Sequence, residues 1–221
     1  MRVIAQGISK DYFRQRRDSN VFTALFPTDM TVSEGEIAAV MGRSGSGKST
    51  LLNILAGLLS PTAGKVTYDD ADIFAMSDDE RSVFRNKHIG VIPQVHTGLH
   101  SLNVRQNIML PYDMYGEKCP DERIDELLEK LGLMTLADVY PDELSGGEMR
   151  RLSIARALVR RPDVILADEP TGDLDGDNTR IAMELLAQAA GNGACVLFVT
   201  HDDEAAAYAH KVYRMSQGRI E

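Results

Sequence analysis

Eight residues, Gly42-Arg43-Ser44-Gly45-Ser46-Gly47-Lys48-Ser49, follow directly on the apolar run Ile37 to Met41 and constrain this chain more than any other feature. They fit the pattern G-x-x-x-x-G-K-[ST], in which a strand runs into a glycine-rich turn and the turn opens a helix. Glycines let a backbone wrap a phosphate with its N–H groups, and the helix beyond presents the positive end of its dipole. Lys48 is placed to hold β- and γ-phosphates, and Ser49 to ligate Mg²⁺. The helix should start within Gly47-Lys48-Ser49-Thr50 and run through Leu51, Leu52, Ile54 and Leu55 to Gly57, with Pro61 beyond it as a stop.

A phosphate clamp also needs a carboxylate to organise the metal and, for hydrolysis, a group that positions water. Val164-Ile165-Leu166-Ala167-Asp168-Glu169 supplies both, as an apolar strand with two acids at its carboxyl end. Asp168 is the expected Mg²⁺ partner, directly or through water, and Glu169 the expected general base. Adjacent acids at a strand end are ordinarily just solvated, and it is the phosphate loop upstream that gives this pair its meaning.

Further along, apolar and amphipathic segments alternate. Strands are expected over Arg2 to Ser9, Ala24 to Val32 and Glu36 to Met41, with a turn at Ser33-Glu34-Gly35. Ser77-Asp78-Asp79-Glu80 has the spacing of a capping box and should open a helix to about Lys87, before a strand at Ile89 to Ile92. From Asn103 to Glu148 helical patterns dominate: Ile124, Leu127, Leu128 and Leu131 fall at i, i+3, i+4 and i+7 and make one apolar face. Helix (Gly147 to Val159), strand (Val164 to Ala167), helix (Asp177 to Ala190), strand (Ala194 to Thr200) and helix (Asp202 to Ala209) then alternate. A final strand is expected just before Gly218-Arg219-Ile220-Glu221. Such alternation implies βαβ units, a mainly parallel sheet covered on both faces, and functional residues at the carboxyl ends of its strands.

With 221 residues and no repeat or linker, one domain is expected over 1–221. The longest apolar stretches fall far short of the about 20 residues that span a bilayer. The start, Met1 to Gln6, lacks the apolar core of a secretory signal, and Cys119 and Cys195 form no spacing motif, which points to a reducing cytosol. The net charge of −9 would repel a nucleic-acid backbone, so no nucleic acid is expected as partner. The basic run Arg14-Gln15-Arg16-Arg17 reads as a solvated hairpin loop, with a local basic patch as the alternative.

Leu144-Ser145-Gly146-Gly147-Glu148 matches, with Glu in the last place, the LSGGQ signature of the ABC ATPases, and it lies upstream of the Asp168 strand as in that family. The chain resembles this superfamily over essentially its whole length. The resemblance implies a P-loop NTPase fold of the ABC type: α/β, with a mainly parallel core sheet, an N-terminal antiparallel β subdomain and a helical subdomain. It implies a catalytic core over 1–93 and 162–221, with 94–161 as Q-loop, helical subdomain and signature helix. It further implies an ATPase that takes ATP and Mg²⁺, with Tyr12 stacking on adenine, Gln94 sensing the metal, Asp173 in the D-loop Asp173-Leu174-Asp175, and His201 contacting the γ-phosphate. Nucleotide contacts would come from Gly42, Arg43, Ser44, Gly45, Ser46, Gly47, Lys48, Ser49 and Thr50. Ser145, Gly146, Gly147 and Glu148 would contact the nucleotide held by a second copy of the chain, giving a head-to-tail dimer around two ATP molecules.

Within the superfamily, Met41 to Gly57, Ser77 to Glu80, Arg85 to Gly90 and Asp168 to Asp175 look like the lipoprotein-release and macrolide-export branch. That likeness implies a separate integral membrane permease of the FtsX or MacB kind, location at the cytoplasmic face of the membrane, no fused permease, and export or extrusion of a peptide, lipoprotein or drug, or mechanotransmission. One alternative, control of a cell-wall enzyme or sensor without cargo, carries the same motor residues; a soluble ATPase acting on DNA or ribosomes is the other, and such proteins generally carry a long coiled coil or two ATPase domains in one chain. The branch commonly has Phe before the Q-loop Gln, whereas this chain has Pro93-Gln94-Val95-His96-Thr97-Gly98-Leu99-His100. Pro93 pushes Ile92 towards an extended backbone. Residues 95–102 line the permease-docking groove in the family, so the change either alters the partner surface or is neutral loop variation.

Overall fold

Uninterrupted apolar runs suit strands covered on both faces, because alternate side chains then enter two separate cores. The computed structural model describes residues 1–13, 21–95 and 97–221. Its strands are β1 (Val3–Phe13), β2 (Val21–Val32), β3 (Ile37–Met41), β4 (Ala63–Tyr68), β5 (Ala71–Asp72), β6 (Ile89–Ile92), β7 (Val164–Asp168), β8 (Cys195–Thr200), β9 (Lys211–Ser216) and β10 (Arg219–Ile220). Its α-helices are α1 (Lys48–Leu55), α2 (Asp78–His88), α3 (Val104–Asp113), α4 (Asp121–Lys130), α5 (Gly146–Leu158), α6 (Gly176–Gly191) and α7 (Asp203–Ala206).

Six strands form one sheet in the order β10-β9-β3-β8-β7-β6, parallel throughout except for the terminal β9–β10 hairpin. Ala39, Ile165, Ala167, Val196 and Phe198 enter the core built with α3 to α6, while Ala38, Val40, Val164, Leu166, Leu197 and Val199 enter the core on the other face. The second core is closed by α1, through Leu51, Leu52, Ile54 and Leu55, and by a separate antiparallel sheet in the order β2-β1-β4-β5. This is the α/β arrangement expected from the sequence, with a mainly parallel sheet, an antiparallel β arm and a group of helices on one face.

Local signals account for much of the helix placement. Ser77 and Glu80 make both halves of their capping box at the start of α2. Ile124, Leu127 and Leu128 are buried on α4, and Leu131 continues their face at its C-cap. The helix expected over Asp202 to Ala209 is shorter: α7 is one turn, capped by Asp202. The His210 amide donates to the Ile37 carbonyl (2.8 Å), which draws the chain back into the sheet as β9.

The first strands run further than Arg2 to Ser9 and Ala24 to Val32, because their antiparallel pairing continues past register shifts to Phe13 opposite Val21. β4 and β5 were not anticipated; they are held by pairing with β1 and with each other. The expected loop at Arg14 to Arg17 lies outside the described residues.

Leu128→Ala removes a fully buried side chain from the helical core. It is expected to lower unfolding free energy by about 2–5 kcal/mol, read from denaturant melts. Glu126 accepts hydrogen bonds from Lys130 and Arg123, in that order of influence, and these hold its carboxyl at about 2 against an ordinary 4.5. The resulting stabilisation is complete above the unfolded-state pKa and is lost as pH falls from 4.5 towards about 2. In Glu126→Gln, the slope of the urea midpoint against pH should flatten across that window.

Candidate functional site

Parallel pairing brings the carboxyl ends of three strands side by side. Met41 of β3 is opposite Thr200 of β8, and Asp168 of β7 is opposite Val199, so the segments that follow all leave the sheet at one edge. The turn after β3 is confined. A Cβ on Gly42 would lie 2.3 Å from the Met215 carbonyl oxygen. Gly47 has φ +105°, and a Cβ there would lie 2.6 Å from the Ala24 carbonyl oxygen. The Gly218 amide donates to the Ser46 carbonyl (2.8 Å), fastening the loop to the β9–β10 turn.

Within this loop Lys48 is buried, and its Nζ donates to the carbonyls of Gly42 (2.6 Å) and Arg43 (3.2 Å). Gly47 caps α1 without any side-chain acceptor, and among the described residues no side chain takes up the amides of its first turn. The Ser46 hydroxyl is buried and has no hydrogen-bond partner among the described residues. Orphan donors at a helix N-terminus, a confined glycine loop and an ammonium group make a cradle for phosphate oxygens.

The carboxylates sit beside it. Asp168 is 7% exposed; burial pushes its carboxyl up from the ordinary range, and the hydrogen bond with Ser49 is the strongest opposing effect. Glu169 follows with φ +50°, a strained backbone for a non-glycine residue, and its amide donates to the Val199 carbonyl (2.9 Å). Its Oε1 lies 2.9 Å from His201 Nδ1, and its Oε2 accepts from the Thr200 hydroxyl at 3.3 Å. His201 is exposed, and the hydrogen bond and charge of Glu169 raise its pKa above the ordinary value.

One cavity of about 660 Å³ gathers Tyr12, Arg43, Ser44, Gly45, Gly47, Lys48, Ser49, Thr50, Gln94, Asp168, Glu169 and His201, with Gly42 and Ser46 shaping the loop itself. Phe22 and Ala24 line it too and were not singled out in the sequence. Phe22 pairs directly opposite Tyr12, a neighbourhood that appears only once the two strands are seen to extend beyond Ser9 and Ala24.

Ser145, Gly146, Gly147, Glu148 and Asp173 do not line this cavity. Ser145 and Glu148 instead form a complete capping box on α5: the Glu148 carboxylate accepts from the Ser145 amide and hydroxyl (both 2.8 Å). Those bonds lower the Glu148 pKa. A Cβ on Gly147 would lie 3.1 Å from the Asp173 carbonyl oxygen, so the start of α5 abuts the D-loop backbone of its own chain.

A family model described as ABC transporter matches residues 25–172, more than half of the chain. The chain is 40% identical over 203 residues to the ABC transporter ATP-binding protein YtrE of Bacillus subtilis, covering 90% of this chain and 87% of that protein. It is 43% identical over 193 residues to the lipoprotein-releasing system ATP-binding protein LolD of Bdellovibrio bacteriovorus, covering 86% and 88%. Among solved structures, the ATP-binding cassette MJ0796, in a dimeric post-hydrolysis state bound to ADP and Pi, superposes with a TM-score of 0.91 at 34% identity, covering 99% and 96%. The chain therefore belongs to the ABC transporter family as an ATP-binding, ATP-hydrolysing subunit, in the branch that includes the lipoprotein-releasing proteins.

Proposed function

We propose that this ATPase drives a separate membrane permease from the cytoplasmic face of the membrane, through ATP-dependent closing and opening of a head-to-tail dimer. The observation that carries the reading is the division of the nucleotide-contacting groups. The phosphate loop, Gln94, Asp168, Glu169 and His201 share one cavity, while Ser145 to Glu148 do not line it. A chain built so completes a nucleotide site only when a second copy brings its own α5 to the first copy's cavity. MJ0796 is described as dimeric, which supports the same arrangement here.

In this reading Lys48 and the first amides of α1 hold the β- and γ-phosphates, and Tyr12, beside Phe22 at the cavity wall, stacks on adenine. Glu169 orients the attacking water, and His201, hydrogen-bonded to Glu169, turns towards the γ-phosphate. Asp173 stands at the dimer seam beside Gly147.

The donor chemistry suits Mg²⁺. The hydroxyl of Ser49, the carboxylate of Asp168 and the side-chain amide oxygen of Gln94 offer oxygen ligands on the cavity wall. Among the described residues no group of three or more His, Cys, Asp or Glu could hold a metal unaided, which fits a cation that relies on phosphate oxygens for the rest of its shell. When bound, Mg²⁺ would neutralise charge on the phosphates. Residues 1–93 and 162–221 form the nucleotide-binding core in this account, and 94–161 form the unit whose position follows Gln94.

The case for a separate permease rests on the relatives. YtrE and LolD, of which the chain spans 83–94%, are both named as ATP-binding proteins. No described helix is long and apolar enough to cross a membrane. Val95 and Leu99, exposed just beyond Gln94, offer an apolar surface for a permease of the FtsX or MacB kind. Lipoproteins, peptides or drugs are the cargo classes that this kinship suggests.

Gly47→Ala is expected to weaken ATP binding about tenfold or more, as strain of about 1–3 kcal/mol is added at a crowded positive φ. Nucleotide titration measures this. Glu169→Gln should bind ATP while hydrolysis falls about 100-fold or more, as expected for loss of a general base. Trapped with Mg-ATP in native membranes and then purified in mild detergent, that variant should bring an integral membrane permease with it. Recovery of soluble partners alone would contradict the proposal.

A further inference from the structure

Arg150 lies outside the nucleotide cavity, on α5, and is 1% exposed. A buried guanidinium ordinarily needs a carboxylate partner to offset the loss of water. Arg150 forms no ion pair among the described residues; it spends its donors on three backbone carbonyls. Nη1 donates to Pro93 (2.7 Å), Nη2 to Gln94 (2.8 Å) and Nε to Gly172 (3.3 Å). Burial lowers its pKa, while the charges of Asp173, Asp168 and Glu169 act in the opposite direction.

Those carbonyls belong to the two segments that carry Gln94 and Glu169. Gly172 lies in the turn after Glu169, where its amide donates to the Glu169 carbonyl (3.0 Å). Gly172 also permits a close approach: a Cβ there would lie 3.3 Å from the Glu169 carbonyl oxygen and 3.5 Å from Arg150 Nη2. One side chain thus fastens the helix headed by Ser145 to Gly147, the backbone of Gln94, and the turn that sets Glu169 at its positive φ. A residue needed only to fill space here would be apolar, since a leucine or methionine avoids the cost of a buried charge.

We propose that Arg150 is a positioning residue for hydrolysis, holding Gln94 and Glu169 in register with the signature helix without touching the nucleotide. Arg150 makes no bond to the phosphate loop, so ATP binding is independent of it; the geometry of the water-activating carboxylate is not. The proposal rests on the assignment of Glu169 and Gln94 to the hydrolytic site.

The test compares Arg150→Met, Arg150→Lys and Glu169→Gln in the full chain. It measures affinity for ADP and for a non-hydrolysable ATP analogue, together with kcat and KM for ATP. Arg150→Met should keep nucleotide affinity within about threefold while kcat falls by about 10- to 100-fold, the usual effect of losing a group that orients a reacting residue. Arg150→Lys, which keeps the charge and the stem, should recover part of that kcat. If Arg150→Met does not fold, Arg150→Lys decides: kcat reduced at unchanged affinity supports the role, and wild-type kcat overturns it. A folded Arg150→Met with wild-type kcat, or with kcat and affinity falling together, also overturns it. Wild-type kcat in Glu169→Gln would instead remove the site assignment on which the proposal stands.

Discussion

Parallel pairing of β3, β8 and β7 fixes where the phosphate loop, the carboxylates and His201 can be. A one-residue slip between β7 and β8 would carry Asp168 away from Val199 and send the alternating apolar set of each strand to the wrong core. Since both faces are buried, such a slip would expose or misplace every apolar side chain in the strand. The register is therefore held by the two hydrophobic cores, and the site inherits its precision from them. The antiparallel arm contributes separately: the pairing of β1 with β2 sets Tyr12 opposite Phe22 at the cavity wall.

Against that rigid edge, the site departs from what folding alone would favour. Glu169 takes a positive φ, Asp168 is buried with a raised pKa, and the Ser46 hydroxyl is buried without a partner among the described residues. Each costs stability, and they cluster around one cavity, as strained and under-satisfied groups do where a ligand is to be bound. The cost is carried by the surrounding core, in which β7 and β8 are buried along their whole length.

Much of this was legible in the sequence wherever chemistry is local. The glycine loop ahead of Lys48 has one good structural use, the capping box at Ser77 needs only a four-residue spacing, and doubly buried strands show as unbroken apolar runs. What escaped depends on partners distant in the chain. β4 exists because β1 offers it an edge, and the helix after Asp202 stops where Ile37 claims the His210 amide. Arg150 read as one more charged residue of a signature helix. Only the fold reveals that it is buried against Pro93, Gln94 and Gly172.

The central claim is that one chain carries two half-sites that meet only across a dimer. It is tested most directly by cross-linking Ser44→Cys in one copy to Ser145→Cys in another, both exposed positions, with Glu169→Gln in each copy to hold ATP. The native Cys119 and Cys195 are buried and would not compete. A short thiol cross-linker should join the two different copies when Mg-ATP is present, and should fail with ADP or without nucleotide. Cross-linking that ignores the nucleotide, or none under any condition, would contradict the account.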